Sequence, residues 1–204
     1  MFADSIKNFP KQFTYQPEIK NGGELHRRKV FIVLGMGGSH IAADLISAYK
    51  PEEDIIIHSD YGLDFPEEVL NQSLVIASSY SGNTEEVIED LEIALEKKIP
   101  VAVIAVGGRL VELAKEHDIP YVQLPDTGIQ PRMALGFSLR ALLKIMGDEK
   151  TLQETEKLSE TLKAEDMEQE GKALAERLKG YVPIIYSSRR KSSVGYIWKI
   201  KFNE

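Results

Sequence analysis

The chain has 204 residues, enough to bury one full α/β domain with material left over. Its 25 basic and 32 acidic side chains give a formal charge of −7, which argues against non-specific binding to nucleic acid or to an anionic membrane. Cysteine is absent, which excludes disulfides, thiolate catalysis and cysteine–zinc sites. No apolar run approaches the roughly 20 residues of a membrane span, and the N-terminus lacks a signal-peptide apolar core, so a cytoplasmic location is expected.

Residues 1–28 are polar and mixed, with Phe2, Ile6, Phe9 and Phe13 spaced along one face. A short helix before Pro10, an irregular stretch and a turn at Gly22-Gly23 are expected there. From residue 29 to 149, strand and helix signals alternate. Strands are expected at 29–34, 54–58, 73–78, 101–106 and 120–124, and helices at 39–49, 84–98, 109–117 and 132–147. The strands are rich in Val and Ile without a period of two, the pattern of parallel strands covered on both faces. The expected fold is a doubly wound, three-layer αβα sandwich on a five-stranded parallel sheet. In such sheets ligands sit at the carboxyl ends of the strands, near the topological switch point.

Residues 150–180 are charged and nearly free of strand formers. Leu152, Leu158, Leu162, Met167, Leu174 and Leu178 mark a broken helical pattern, read as a helical connector kinked near Ala164-Glu165. Beyond Gly180 a strand is expected at Val182–Ser187, then a polar turn at 187–192 and a helical run to Glu204. Residues 181–204 thus read as the opening unit of a second, incomplete domain. A lone strand and helix cannot bury Val182, Ile184, Ile185, Tyr196, Ile197 and Trp198, so homodimerisation through this segment or the long helices is expected.

Two turns in the 29–149 region carry the chemistry, each placed where an apolar run ends and a helical pattern begins. The first is Gly35-Met-Gly-Gly-Ser39. Gly37 and Gly38 let backbone approach a ligand, and Ser39 can cap free N–H groups or reach an anion. It is not a dinucleotide fingerprint, because His40 stands where a third glycine is required, and there is no P-loop lysine. The second turn places Ser78, Ser79, Ser81 and Thr84 around Gly82-Asn83, ahead of Glu85-Glu86. A helix cap needs one hydroxyl and this loop supplies four. Two such turns read as a grip on one phosphate-like anion, with two ordinary capped helix starts as the competing reading.

The two turns, about forty residues apart, resemble those of a sugar isomerase (SIS) domain. Gly128-Ile-Gln-Pro-Arg132-Met-Ala-Leu-Gly136 and Trp198-Lys-Ile-Lys-Phe-Asn-Glu204 narrow the resemblance to the archaeal and bacterial phosphoglucose/phosphomannose isomerases, which are built from two tandem SIS domains. The resemblance implies a flavodoxin-like sheet and a phosphosugar ligand whose phosphate is held by Gly37, Gly38, Ser39, Ser79, Ser81 and Thr84. It implies aldose–ketose isomerisation, with Arg132 as the cation facing an enediolate oxygen and Glu204 as the base that moves the proton. No metal or redox cofactor, nucleic acid or membrane partner is implied.

Read by themselves, Arg132 is a helix-start residue in a surface ion pair and Glu204 a solvated glutamate. In the family a ring-opening histidine follows the glutamate motif. None of His26, His40, His58 or His117 stands in a matching position, so each is read as a surface or satisfied histidine. The expectation is a complete phosphate grip and an incomplete proton-transfer half. The alternative is a phosphosugar-binding module without turnover.

Overall fold

A computed structural model describes residues 2–22, 25, 28–188 and 191–203. Its sheet is built from Ile19–Lys20 (β1), Val30–Leu34 (β2), Asp54–His58 (β3), Ser73–Ser78 (β4), Val101–Ala105 (β5) and Tyr121–Gln123 (β6), in the order β1–β6–β5–β4–β2–β3. The five expected strands are present and mutually parallel. The count of five is corrected to six by β1, which pairs antiparallel with β6 at the sheet edge. Two residues within an irregular stretch carry no periodicity that would announce a strand. Without β1 the order is that of a flavodoxin-like sheet, and its switch point lies between β2 and β4.

The helices are Phe2–Lys7 (α1), Ile41–Tyr49 (α2), Glu67–Gln72 (α3), Glu85–Glu96 (α4), Gly108–Glu116 (α5) and Leu135–Ile145 (α6) in the first part of the chain. Alternate residues of the strands feed two separate cores, which is why β2 and β5 are apolar at every position and β4 is apolar between its terminal serines. Ile32, Leu34, Val75 and Val103 pack with Val87 and Leu91 of α4 and Leu110 and Leu113 of α5. Phe31, Val33, Leu74, Ile76 and Ile104 pack on the other face with Ala42, Ala43 and Ile46 of α2 and Ala141–Leu143 of α6. These are the three layers. The unexpected α3 follows Pro66, whose fixed φ suits a helix start.

The connector forms Glu149–Glu156 (α7), Leu158–Thr161 (α8) and Glu168–Leu178 (α9), with a 3₁₀ turn at Ala164–Met167 where the kink was expected. The expected strand at Val182–Ser187 is corrected: these residues join no sheet, and Val182 and Tyr186 are each 89% exposed. A strand exists only by pairing, and nothing among the described residues offers this segment an edge. The final helix does form, as Ser192–Asn203 (α10), and packs on α2 with Ile200 buried. Gly23 of the expected Gly22-Gly23 turn lies outside the described residues.

The N-terminal segment is tied to the far end of the domain by Arg140 on α6, which is 1% exposed. Its guanidinium donates to the carbonyls of Tyr15 and Leu152, to Thr155 Oγ1 at 3.0 Å and to Gln16 Oε1 at 3.2 Å. Burial lowers its pKa from the ordinary arginine value, and these acceptors compensate the desolvation. Among the described residues no helix is long and apolar enough to cross a membrane.

Candidate functional site

The two serine–glycine turns leave the carboxyl ends of β2 and β4, the pair of strands that flank the switch point. They are bonded to each other. Ser78 Oγ donates to the Ser39 carbonyl at 3.1 Å, and Tyr80 N–H donates to Ser39 Oγ at 3.3 Å. The first turn is also anchored to β3, since Gly35 N–H donates to the His58 carbonyl at 3.0 Å and Ser59 Oγ donates to the Gly35 carbonyl at 2.7 Å.

Inside the second turn, Ser79 is 2% exposed; its Oγ accepts from Gly82 N–H at 3.2 Å and lies 2.8 Å from Thr84 Oγ1. Ser79 therefore holds the loop together from within. Ser81 is exposed, with its hydroxyl accepting from Asn83 N–H at 3.2 Å. Gly37, Gly38, Ser39 and Thr84 are half-buried.

Gly82 has φ +75°, and a Cβ there would stand 1.9 Å from the Gly107 carbonyl oxygen, so this position requires glycine. The loop is braced against the β5–α5 turn by Val106 N–H to the Tyr80 carbonyl and by Leu110 N–H to the Gly82 carbonyl. Asn83 Oδ1 accepts from Arg109 N–H at 3.0 Å, so this side chain caps α5 across the loop. The role of Asn83 depends on a partner 26 residues away and was not visible from its neighbours.

The twelve-residue helix α4 starts at this loop, and its N-cap residue Thr84 makes no side-chain cap bond. Its first-turn N–H groups and the positive end of its dipole, worth about half a unit charge, favour an anion. Glu85 and Glu86 in that turn oppose one.

Arg132 lies in a 3₁₀ turn, Pro131–Met133, just before α6. That turn packs directly on the first serine–glycine turn: a Cβ on Gly38 would meet the Arg132 Cα and N, each at 3.1 Å. The opposite side of the turn is held by Gln12, whose Nε2 donates to the Met133 carbonyl at 2.7 Å and whose Oε1 accepts from Gly136 N–H at 2.9 Å. The end of α10 also reaches it, with Lys201 Nζ donating to the Arg132 carbonyl and lying 3.5 Å from Met133 Sδ. Three separated motifs are thus neighbours: residues 35–39, 128–136 and the Trp198-Lys-Ile-Lys-Phe-Asn run. Glu204 itself lies outside the described residues, which end at Asn203.

His40 Nδ1 is 2.6 Å from Asp44 Oδ2, and its ring stacks on Tyr196 of α10 at 5.3 Å between centroids. His58 Nε2 is 3.2 Å from Asp90 Oδ2. Burial pushes the Asp90 carboxyl above its ordinary pKa, against the hydrogen bond from Gly62 N–H and the neighbouring His58. His117 is exposed and His26 lies outside the described residues. Among the described residues no group of three or more His, Asp or Glu is placed to hold a metal ion.

The chain is 34% identical over 205 residues to a bifunctional phosphoglucose/phosphomannose isomerase of Aquifex aeolicus, covering 98% of this chain and 62% of that protein. It is 33% identical over 207 residues to the protein of the same name from Thermoplasma volcanium, covering 100% of this chain and 64% of that one. The chain therefore spans a little under two thirds of the length of these relatives. Among solved structures, tagatose-6-phosphate ketose/aldose isomerase from Escherichia coli matches with a TM-score of 0.51 at 16% identity, over 96% of this chain and 55% of that one. No family model matches the chain.

Proposed function

From a chain that folds as a SIS domain and is homologous over nearly its whole length to bifunctional phosphoglucose/phosphomannose isomerases, we propose that it is the phosphate-gripping part of a phosphosugar aldose–ketose isomerase. The substrate pair is glucose 6-phosphate and fructose 6-phosphate, with mannose 6-phosphate as a further substrate. The observation that carries the proposal is the contact of the phosphate turns with the arginine turn, Gly38 against the backbone of Arg132.

In this reading the phosphate sits at the start of α4, against Gly37, Gly38, Ser39, Ser81 and Thr84, while Ser79 keeps the loop in shape from inside. The sugar then extends toward residues 131–133. A base removes the proton from C2 of the open-chain aldose and returns it to C1, while the hydroxyl proton of O2 passes to O1, so that C1 becomes a CH2OH group and C2 the carbonyl. Arg132 faces the oxygen that carries negative charge in the enediolate. Glu204 is assigned the base role from its sequence motif alone. Neither step calls for a metal or redox cofactor. A cytoplasmic, homodimeric enzyme belongs to the same proposal, the dimer because Tyr181, Val182, Ile184 and Tyr186 are left largely exposed.

The test joins calorimetry with fructose 6-phosphate to a coupled assay for glucose 6-phosphate, on this chain and on Ser81→Ala and Arg132→Ala. The expected result is binding weakened by Ser81→Ala, and by Arg132→Ala for ligands that extend beyond the phosphate. Failure of the unmodified chain to bind fructose 6-phosphate would overturn the reading.

A further inference from the structure

We infer that Gln12 is a positioning residue for Arg132, acting through the backbone of the turn that carries it; the inference rests on the isomerase reading of Arg132. Gln12 lies in a 3₁₀ helix, Phe9–Thr14, outside the β/α unit that holds the phosphate turns. It is 4% exposed, and its carboxamide bridges the junction between the Arg132 turn and α6. Nε2 bonds the carbonyl of Met133, and Oε1 bonds the N–H of Gly136, residues 121 and 124 positions away. The fit is close: a Cβ on Gly136 would stand 2.6 Å from Gln12 Cβ, so the glycine that ends the Gly128–Gly136 motif makes room for this side chain.

The chemistry of the contact selects glutamine. One group must donate to a carbonyl and accept from an N–H at the same time, with no net charge in a buried place. An ionised glutamate offers acceptors only and would face the Met133 carbonyl oxygen with a negative charge. Leucine fills the volume and satisfies neither partner. A buried carboxamide is costly unless both ends are bonded, and packing alone would be served as well by an apolar residue.

Both bonds here fall on the residues that follow Arg132, one on each side of the start of α6. Gln12 thereby fixes the direction in which the Arg132 Cα–Cβ bond leaves the turn, while Gly38 and Lys201 close its other sides. A guanidinium facing an enediolate needs that direction held to a fraction of an ångström.

The opposing explanation is that Gln12 merely caps α6 and stabilises the fold. A double-mutant cycle separates the two, with affinity measured by calorimetry for two probes. Inorganic phosphate reports the grip alone. A five-carbon aldonate phosphate, whose carboxylate stands where the enediolate oxygens would, reports the grip and the arginine together.

Gln12→Leu is expected to weaken the aldonate phosphate by about tenfold and inorganic phosphate by less than about twofold, with little further loss in an Arg132→Ala background, as coupled neighbours behave. Gln12→Glu is expected to bind the aldonate poorly at neutral pH. It should recover toward the unmodified chain, compared at the same pH, as acid restores a neutral donor–acceptor group. This second variant keeps the test open if Gln12→Leu folds poorly. Equal losses for both probes, or losses that add to those of Arg132→Ala, overturn the inference. If the unmodified chain binds neither probe, or Arg132→Ala leaves the aldonate affinity unchanged, the isomerase reading fails first, and that pattern is distinct.

Discussion

Gly38 abuts Arg132 so closely that a methyl group on the glycine would stand 3.1 Å from both the Cα and the N of the arginine. That is tighter than ordinary van der Waals contact, so Gly38→Ala must push the arginine turn by a few tenths of an ångström. The expected outcome is a modest stability loss, about 1 kcal/mol, together with a disproportionate loss of affinity for an aldonate phosphate. Denaturant melts and calorimetry on one preparation measure the two effects. Full retention of affinity would show that the turns are mechanically independent.

Two left-handed glycines offer a controlled comparison. A Cβ on Gly82, at φ +75°, would stand 1.9 Å from the Gly107 carbonyl oxygen, whereas one on Gly62, at φ +85°, would have only Asp64 Oδ2 near, at 3.8 Å. Gly62→Ala carries backbone strain alone, about 1 kcal/mol. Gly82→Ala adds a steric conflict between the new methyl group and the Gly107 main chain and should cost at least about 3 kcal/mol, or prevent folding. Urea midpoints of the two variants provide the check.

The hydroxyls of the second turn divide by exposure. Ser81→Ala should leave thermal stability unchanged while weakening fructose 6-phosphate by about tenfold or more, as expected for one lost hydrogen bond to a charged group. Ser79→Ala should lower both stability and affinity, because its hydroxyl organises Gly82 and Thr84. If the pattern is reversed, the phosphate sits elsewhere.

Much of this arrangement was legible in the sequence, and the reason differs by element. The central strands lie within a residue or two of their expected limits because both faces are buried, so β2, β5 and the interior of β4 are apolar throughout. The 182–187 segment is also rich in Val, Ile and Tyr but carries Pro183, which removes a ladder donor, and it forms no strand. Its propensity is real, but a strand also needs an edge to pair with. The bonding roles of Asn83 and Gln12 lie beyond the local sequence for a related cause. Each is an ordinary polar residue locally, and each acquires its role from a backbone group 26 or 121 residues away. The contact of Gly38 with Arg132 was implied only through the family resemblance, since spacing along the chain does not say which turns meet.

Acid stability should carry the mark of Asp90. Burial raises its pKa above 3.8, so the folded state holds this proton more tightly than the unfolded chain. The contribution is fully present below pH 3.8 and is lost as pH rises through the raised folded value. Asp90→Asn keeps an acceptor for Gly62 N–H and removes the titration. Melting temperatures of the variant and the unmodified chain, followed upward from pH 3.8, should diverge in favour of the variant as pH rises. Parallel curves would mean that the carboxyl titrates normally.

The bonds of the N-terminal segment bear on how the molecule assembles. Gln12 reaches Met133 and Gly136, Tyr15 reaches Gln123, Lys20 pairs with Tyr121, and Tyr15 and Gln16 receive the buried guanidinium of Arg140. On the ribosome, the first twenty residues therefore emerge long before these partners, which lie at residue 121 and beyond. The N-terminal segment can be latched down only after β6 and α6 have been made. The two serine–glycine turns meet through residues no later than Tyr80, so their mutual bonds are available earlier in synthesis than the Gln12 brace on the arginine turn.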